Sequence, residues 1–250
     1  MKLVVYDLDQ TLMPIDTGDV WVRWLLASCG HAARQEALAT LDRFAREYWA
    51  QTLSIEEFES WQMRFLAGFE RTFLEQARDD YKREILAPIV PPEARAIVED
   101  DRRAGHITAI CTATYAFATQ PSAELFAVDH LLAVRPEENE KGEFTGGWIA
   151  PMTYREGKVL AVENLVGDLA ARGIAIEAYA FWSDSTADLP LFEYTAQRGG
   201  ECHVVNAGEK LQAIGRARGW SVGRTYDASH EAFARGVVAK ALAKRENALN

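Results

Sequence analysis

The chain is expected to fold as a doubly wound α/β protein, a parallel sheet with helices on both faces, interrupted by an inserted all-helical segment. Three observations carry that expectation. The chain opens on a short apolar run, KLVVY, of the kind a strand needs when both its faces are covered. Beyond about residue 86, strand-like and helix-like stretches alternate, the pattern of a parallel sheet. Between residues 16 and 85 the rhythm is replaced by long amphipathic stretches alone, so this part reads as an insertion after the first strand.

Taken in order, Lys2 to Tyr6 is the first strand, and three helical stretches follow: DVWVRWLLASCG, HAARQEALATLDRFAREYWAQ and one continuous segment from SIEEFESW to REIL. Ser54 with Glu57 forms a capping box for the third, and Gly30 suits a helix end. Pro91 and Pro92 mark the entry to the next helix and Gly105 its exit. ITAICT is a strand, AFATQPSAELFAV a helix, EENEKGEFTGGW a hairpin and GKVLAVENLVGDLAARG a helix. Then come strand EAYAFWS, helix TADLPLFEYTAQRG, strand CHVVN, helix GEKLQAIGRARG and a last helix reaching about Lys244. Residues 1–15 and 86–250 thus form the core and 16–85 the insert, whose aromatics Trp21, Trp24, Trp49, Trp61, Phe65 and Phe69 read mainly as packing within a helical bundle.

Bulk properties narrow the function. With 250 residues, 48% of them hydrophobic, the chain has ample material for a packed core. A net charge of −10 argues against a general nucleic-acid binder, which needs Lys and Arg to displace counterions from phosphates. Cys29, Cys111 and Cys202 are scattered and lack CxxC spacing, which suggests neither a disulfide framework nor a zinc site and fits a reducing cytoplasm. The five histidines show no paired metal spacing. No stretch is long and apolar enough for a membrane span, and a cytoplasmic monomer or homodimer is expected.

In open parallel sheets, ligands bind beyond the carboxyl ends of the strands. There the chain places Asp7, Asp9 and Thr11 after the first strand and Thr112 and Thr114 at the second. Lys158 stands at a helix opening, and Asp184, Ser185 and Asp188 follow EAYAFWS. Each acid alone has an ordinary role as helix cap or turn former. Together, four carboxylates facing Lys158 would raise one another's pKa values. A divalent cation resolves the conflict, and oxygen donors with room for water and a phosphate oxygen suit Mg2+.

This arrangement resembles the haloacid dehalogenase (HAD) superfamily, whose four motifs occur in order. VVYDLDQT matches the DxDx(T/V) motif, ITAICT the strand ending in Ser or Thr, Lys158 the motif lysine, and SDSTAD the acidic (G/S)DxxxD loop. An all-helical insert directly after the first motif is similar to the cap (C1 type) of subfamily IB, the group of phosphoserine phosphatase and its relatives, on a Rossmann-like core. The resemblance implies a magnesium-dependent phosphomonoesterase acting on a small phosphorylated metabolite through an aspartyl-phosphate. It makes Asp7 the nucleophile and Asp9 the general acid and base. Thr112 is implied as a phosphate donor and Lys158 as the cation holding phosphate and Asp7. The implied metal site comprises Asp7, Asp9 through its backbone carbonyl, Asp184 and Asp188, with orientation of Lys158 as the other role open to Asp188.

Thr11, Ala113, Asp16 and Arg64 are the implied substrate contacts. Asp16 stands where the relatives carry an amine-holding glutamate and is equally an N-cap for the first helix of the insert. Arg64 or Arg71 is a candidate counterpart of the relatives' carboxylate-binding arginine, although a gapless comparison puts Phe65 at that place, and a solvated helix face is the alternative for either. Ser183 replaces the usual glycine and Ala187 the usual asparagine, which loosens transfer of the substrate. Histidinol phosphate and phosphoserine are the substrates the resemblance suggests. Three further readings share parts of this machinery: a dehalogenase, disfavoured by Asp9 and Asp184; a phosphotransferase; and a phosphoacceptor signalling module, which is about half this size and lacks the insert.

Overall fold

The computed structural model describes residues 1–29, 31–50 and 52–247, with the side-chain surroundings of residues 31–33, 48 and 49 set apart; Gly30 and the packing of Trp49 lie outside them. Seven strands form one sheet in the order β4-β3-β2-β1-β5-β6-β7. They are β1 (Lys2–Tyr6), β2 (Ile107–Tyr115), β3 (His130–Glu138), β4 (Phe144–Ile149), β5 (Ala178–Ser183), β6 (Glu201–Val205) and β7 (Ser221–Gly223). All pairs are parallel except the β3–β4 hairpin.

The strand β1 is central, and Val5 faces Ala109 of β2 on one side and Phe181 of β5 on the other. Its side chains divide by the period of two that a strand imposes. Val4 and Tyr6 enter one core with Tyr81, Ile85, Val98 and Ala118, while Leu3 and Val5 enter another with Cys111, Val162, Leu165 and Phe192. Each fully buried aliphatic side chain contributes about 1.5–3 kcal/mol, so covering both faces holds this strand, and the acids at its end, in place.

The insert comprises α1 (Thr17–Leu26), α2 (His31–Trp49), α3 (Ile55–Leu66) and α4 (Arg71–Tyr81). The capping box is formed on one side: Ser54 Oγ accepts from the Glu57 N–H at 3.3 Å. The third segment, expected as one helix, is two. The chain turns after Leu66 through Gly68, a residue that weakens helical continuation, and resumes a helix at Arg71. A wide π turn at Lys82–Leu86 follows α4 and leads into α5 (Ala87–Ile89). Pro88 in α5 has no N–H to give to the preceding turn, a defect that a wider turn accommodates.

The core helices are α6 (Pro92–Arg103), α7 (Ala116–Phe126), α8 (Glu156–Ala171), α9 (Leu189–Gln197), α10 (Glu209–Ala217) and α11 (Ala228–Asn247). Pro91 and Pro92 open α6, and Gly105 adopts φ +77° just after it, as expected. The edge strand β7 is an addition to the expected elements. It is short, and only its partner β6 makes it a strand. Among the described residues no helix is long and apolar enough to cross a membrane.

Candidate active site

The carboxyl ends of β1, β2 and β5 meet at one place, and the acids stand there. The carboxylate of Asp7, buried at the end of β1, accepts from Lys158 Nζ at 2.7 Å through Oδ1 and from Thr11 Oγ1 at 3.1 Å through Oδ2. The Asp7 N–H continues the ladder onto Trp182 O at 2.9 Å. Thr11 Oγ1 also lies 3.2 Å from Asp184 Oδ1 and accepts from the Asp184 N–H at 3.1 Å. One hydroxyl therefore joins the first strand to the acidic loop.

Asp9 points elsewhere. The strand stops at Tyr6, so the alternation that would set Asp7 and Asp9 side by side does not extend to them. Asp9 Oδ1 accepts from the Thr17 N–H at 2.7 Å and from Thr17 Oγ1 at 2.5 Å, in the first turn of α1. Its Oδ2 accepts from Thr114 Oγ1 at 2.8 Å and lies 3.5 Å from Thr112 Oγ1. The unpaired N–H groups of a helix N-terminus favour negative charge, which accounts for a carboxylate at this spot. The side chain of Asp9 is thus occupied, consistent with a metal role restricted to its carbonyl.

Lys158 sits in the first turn of α8, only 3% exposed, and bridges Asp7 to Asp188 at 2.8 Å. Burial disfavours its charge, but the two acids outweigh that effect and the ammonium is held more strongly than in water. Gly157 makes this placement possible. A Cβ there would stand 1.8 Å from Met152 O, so a side chain would push the turn, and Lys158 with it, out of position.

Asp188, expected either in the metal shell or as the residue that orients Lys158, stands against that lysine. Both its oxygens are engaged by Lys158, and Oδ2 also accepts from Ser183 Oγ at 2.7 Å. It is buried and faces Lys158, the contact that the expected orienting role requires. Ser183 explains its own departure from glycine, because its hydroxyl donates to Asp188 and accepts from the Ser185 N–H at 3.0 Å.

The remaining residues divide. Thr112 is buried and its carbonyl accepts from Thr153 Oγ1 at 2.6 Å; its hydroxyl accepts from the Thr114 N–H at 3.1 Å. The ladder between β2 and β3 pairs Cys111 and resumes at Tyr115, which leaves Ala113 and its neighbours out of the regular pairing. Asp16 is the N-cap of α1, accepting from the Asp19 N–H at 2.8 Å. It remains exposed, at a cavity of about 480 Å³ between this turn and α11. Arg64 is exposed on α3, and its stem packs 3.5 Å from where a Cβ of Gly146 in β4 would stand. Arg71 likewise serves the hairpin, donating to Glu138 Oε1 at 2.9 Å and Gly142 O at 3.3 Å.

Sequence reading missed the residues that hold the loop after Asp9. Asn206 Nδ2 donates to Gln10 O at 2.9 Å and Thr11 O at 3.2 Å, Tyr226 OH donates to Gln10 O at 2.7 Å, and Thr225 Oγ1 donates to Thr11 O. Asn206 at the end of CHVVN was the available signal, since Asn at a strand end tolerates the left-handed backbone it adopts here, φ 52°.

Electrostatically the site is short of positive charge. Burial raises the Asp7 carboxyl to about 7; Lys158 opposes this, while Asp188 and Asp9 add to it. Asp184 is raised as well, by burial and then by Asp7 and Asp188. The excess lies between Asp7 and Asp184, the pair Thr11 joins. Hard oxygen donors with too few cations fit a divalent ion such as Mg2+. Among the described residues no cluster of three or more His, Cys, Asp or Glu forms a ready cage, and magnesium uses one or two carboxylates rather than an all-protein cage.

The family model of the haloacid dehalogenase-like hydrolases matches residues 4–193, a span that holds every one of these acids and Lys158. The chain belongs to that family. Among curated proteins it is 28% identical over 224 residues to the histidinol-phosphatase of Neisseria meningitidis serogroup C (strain 8013), covering 88% of this chain and 97% of that protein. Among solved structures, a protein of unknown function from Bordetella pertussis Tohama I superposes with TM-score 0.82 at 30% identity, covering 90% of this chain and 99% of that one. A substrate-bound phosphoserine phosphatase superposes with TM-score 0.57 at 17% identity over 90% of this chain and 92% of that one, a likeness of fold. The likeness of fold to these structures covers nearly the whole chain.

Proposed function

We propose that this hydrolase is a magnesium-dependent phosphomonoesterase working through an aspartyl-phosphate on Asp7, with a small phosphorylated metabolite as substrate. The observation that carries the reading is the polarity of Asp7. Lys158 holds Oδ1 from the buried side, leaving Oδ2 at the open side beside Thr11 and Asp184.

Magnesium at Asp7, Asp184 and the Asp9 carbonyl would supply the positive charge that lets a phosphate dianion approach a carboxylate. Asp7 Oδ2 attacks phosphorus as the ester P–O bond breaks. The departing alkoxide takes a proton from Asp9, whose carboxyl is aimed by Thr17 and Thr114. A water then attacks the aspartyl-phosphate and gives its proton to Asp9, releasing inorganic phosphate and regenerating Asp7. Thr112 and the main chain of Ala113 would donate to phosphate oxygens. Residues 16–85 act as the cap that shelters the reaction from bulk water.

The similarity to a histidinol-phosphatase along almost the full length supports histidinol phosphate as the first substrate to test, with phosphoserine second. Phosphate release from both, and from p-nitrophenyl phosphate, is measured with Mg2+ and with EDTA for wild type and Asp7→Asn. Release that EDTA and Asp7→Asn both abolish is expected. Wild-type rates in Asp7→Asn would remove the nucleophile assignment, and transfer to an added alcohol without free phosphate would favour a phosphotransferase.

A further inference from the structure

Gln10 is a strained residue between two functional ones. Its backbone is left-handed, φ 58°, a conformation that the Cβ of an L-residue disfavours by a factor of about 5 to 30. Glycine adopts it freely and asparagine often, whereas glutamine has neither advantage. The Gln10 side chain is exposed and, among the described residues, forms no hydrogen bond that could offset the strain. The torsion matters for what it carries. Rotation about φ of Gln10 turns the peptide that bears the Asp9 carbonyl relative to the chain that leads on to Thr11. That peptide's own N–H donates to Ile15 O at 3.3 Å, a long bond. Thr11 Oγ1, one residue on, stands between Asp7 Oδ2 at 3.1 Å and Asp184 Oδ1 at 3.2 Å.

Support for the turn arrives from 195 to 216 residues further along the chain. The Gln10 carbonyl accepts from Asn206 Nδ2 at 2.9 Å and from Tyr226 OH at 2.7 Å. The Thr11 carbonyl accepts from Asn206 Nδ2 at 3.2 Å and from Thr225 Oγ1. Two successive carbonyls thus take two donors each. The donors are themselves fixed: the Thr225 N–H donates to Asn206 Oδ1 at 3.1 Å, which turns the amide nitrogen toward Gln10 and Thr11, and Asn206 Nδ2 also lies 2.7 Å from Thr225 Oγ1. Thr225 and Tyr226 are 1% and 4% exposed, so water competes little for these bonds. A residue in a disfavoured backbone region persists only where its surroundings over-determine it, and here the end of β6 and the turn before α11 do so.

We propose that Asn206, Thr225 and Tyr226 are positioning residues of the reaction. By imposing the left-handed turn at Gln10 they aim the Asp9 carbonyl and seat the Thr11 hydroxyl, and so set the affinity for the divalent ion. The inference rests on the magnesium site of the phosphomonoesterase reading above.

The test is a double-mutant cycle on the full chain. The quantity read is the Mg2+ dissociation constant, taken from Tm against Mg2+ concentration, for wild type, Tyr226→Phe, Gln10→Gly and the two combined. Tyr226→Phe removes one hydroxyl and keeps the ring. Loss of a single hydrogen bond to the strained turn predicts Mg2+ binding about 3- to 10-fold weaker in Tyr226→Phe. In the Gln10→Gly background, where the left-handed backbone needs no support, the same change should weaken binding less than about twofold. Thr225→Val should weaken binding as Tyr226→Phe does, and Thr225→Ser, which keeps the hydroxyl, should bind as wild type. This second pair carries the test should circular dichroism show that Tyr226→Phe does not fold. Equal weakening in both backgrounds, weakening in neither, or Thr225→Ser as weak as Thr225→Val overturns the inference alone and leaves the three residues as packing for the loop. A wild type whose Tm does not respond to Mg2+ overturns the magnesium site and the inference together.

Discussion

Replacing Lys158 by Met removes the cation and keeps an unbranched stem of similar volume. Lys158 is 3% exposed and stands 2.7 Å from Asp7 and 2.8 Å from Asp188. Both acids are buried, at 6% and 2% exposure, so neither can turn to water for compensation. Removing one member of a buried ion pair costs about 3–5 kcal/mol, a large share of the roughly 5–15 kcal/mol that separates folded from unfolded domains. The loss depends on pH with a determined sign. Without the lysine, the Asp7 carboxyl moves further above its value in the unfolded chain. The folded variant then holds a proton that the unfolded chain releases, so its stability is greatest at acid pH and declines as the pH rises. Urea unfolding followed by circular dichroism, without divalent ions, measures this at pH 5 and pH 8. The double variant Lys158→Met/Asp188→Asn should recover part of the loss, since the amide oxygen that replaces the carboxylate can still accept from Ser183. A Lys158→Met protein within about 0.5 kcal/mol of wild type at pH 8, or one that Asp188→Asn fails to relieve, would refute the charge balance drawn here.

Two further outcomes follow from the same geometry. Mg2+ at about 100 times its dissociation constant should stabilise wild type by about 2.7 kcal/mol, a rise in Tm of about 5–10 °C for a chain of this size; Asp184→Asn should lose most of that shift, and an undiminished shift would place the ion elsewhere. Glu59, raised to about 8 from an ordinary 4.5, is protonated in the folded chain and ionised in the unfolded chain between those values. Its contribution to stability is therefore full at acid pH and lost as the pH rises, by up to about 1.4 kcal/mol per pH unit. Glu59→Gln should accordingly gain on wild type between pH 5 and pH 8 in thermal unfolding, and a constant difference would mean that Glu59 does not titrate in this window.

What could be read from the sequence, and what could not, follows the range of the interactions. The order of strands and helices, the hairpin and the convergence of Asp7, Thr11, Lys158 and Asp184 were legible because each rests on a local signature set on a regular sheet. The partition of the carboxylates was not. Asp9 is turned from Asp7 by Thr17 in α1 and Thr114 in β2, and Asp188 is turned inward by Ser183, contacts that exist only once the elements are assembled. The break after Leu66 was hidden because apolar residues continue through it and Gly68 is a weak stop. β7 was hidden because a three-residue edge strand has no periodicity to show. Arg64 invited a binding role by its charge and position on α3, whereas the hairpin against which its stem lies comes from residues far along the chain.

The contact of Asp188 with Lys158 bears on how the site's charge is distributed. Lys158 lies on the inner side, shared between Asp188 and one oxygen of Asp7, with Ser183 and the buried sheet behind them. On the outer side Thr11 has one proton to offer and two carboxylates, Asp7 and Asp184, within reach. The cation that the protein supplies thus lies where the fold is closed, away from the side where it opens. A metal placed on the inner side would duplicate the lysine, while one on the outer side removes a repulsion that the fold itself leaves in place. The arriving phosphate would meet that repulsion too, so on the proposed reading the residual charge that makes Asp7 and Asp184 poor contributors to stability would also mark the place where a divalent ion serves Asp7.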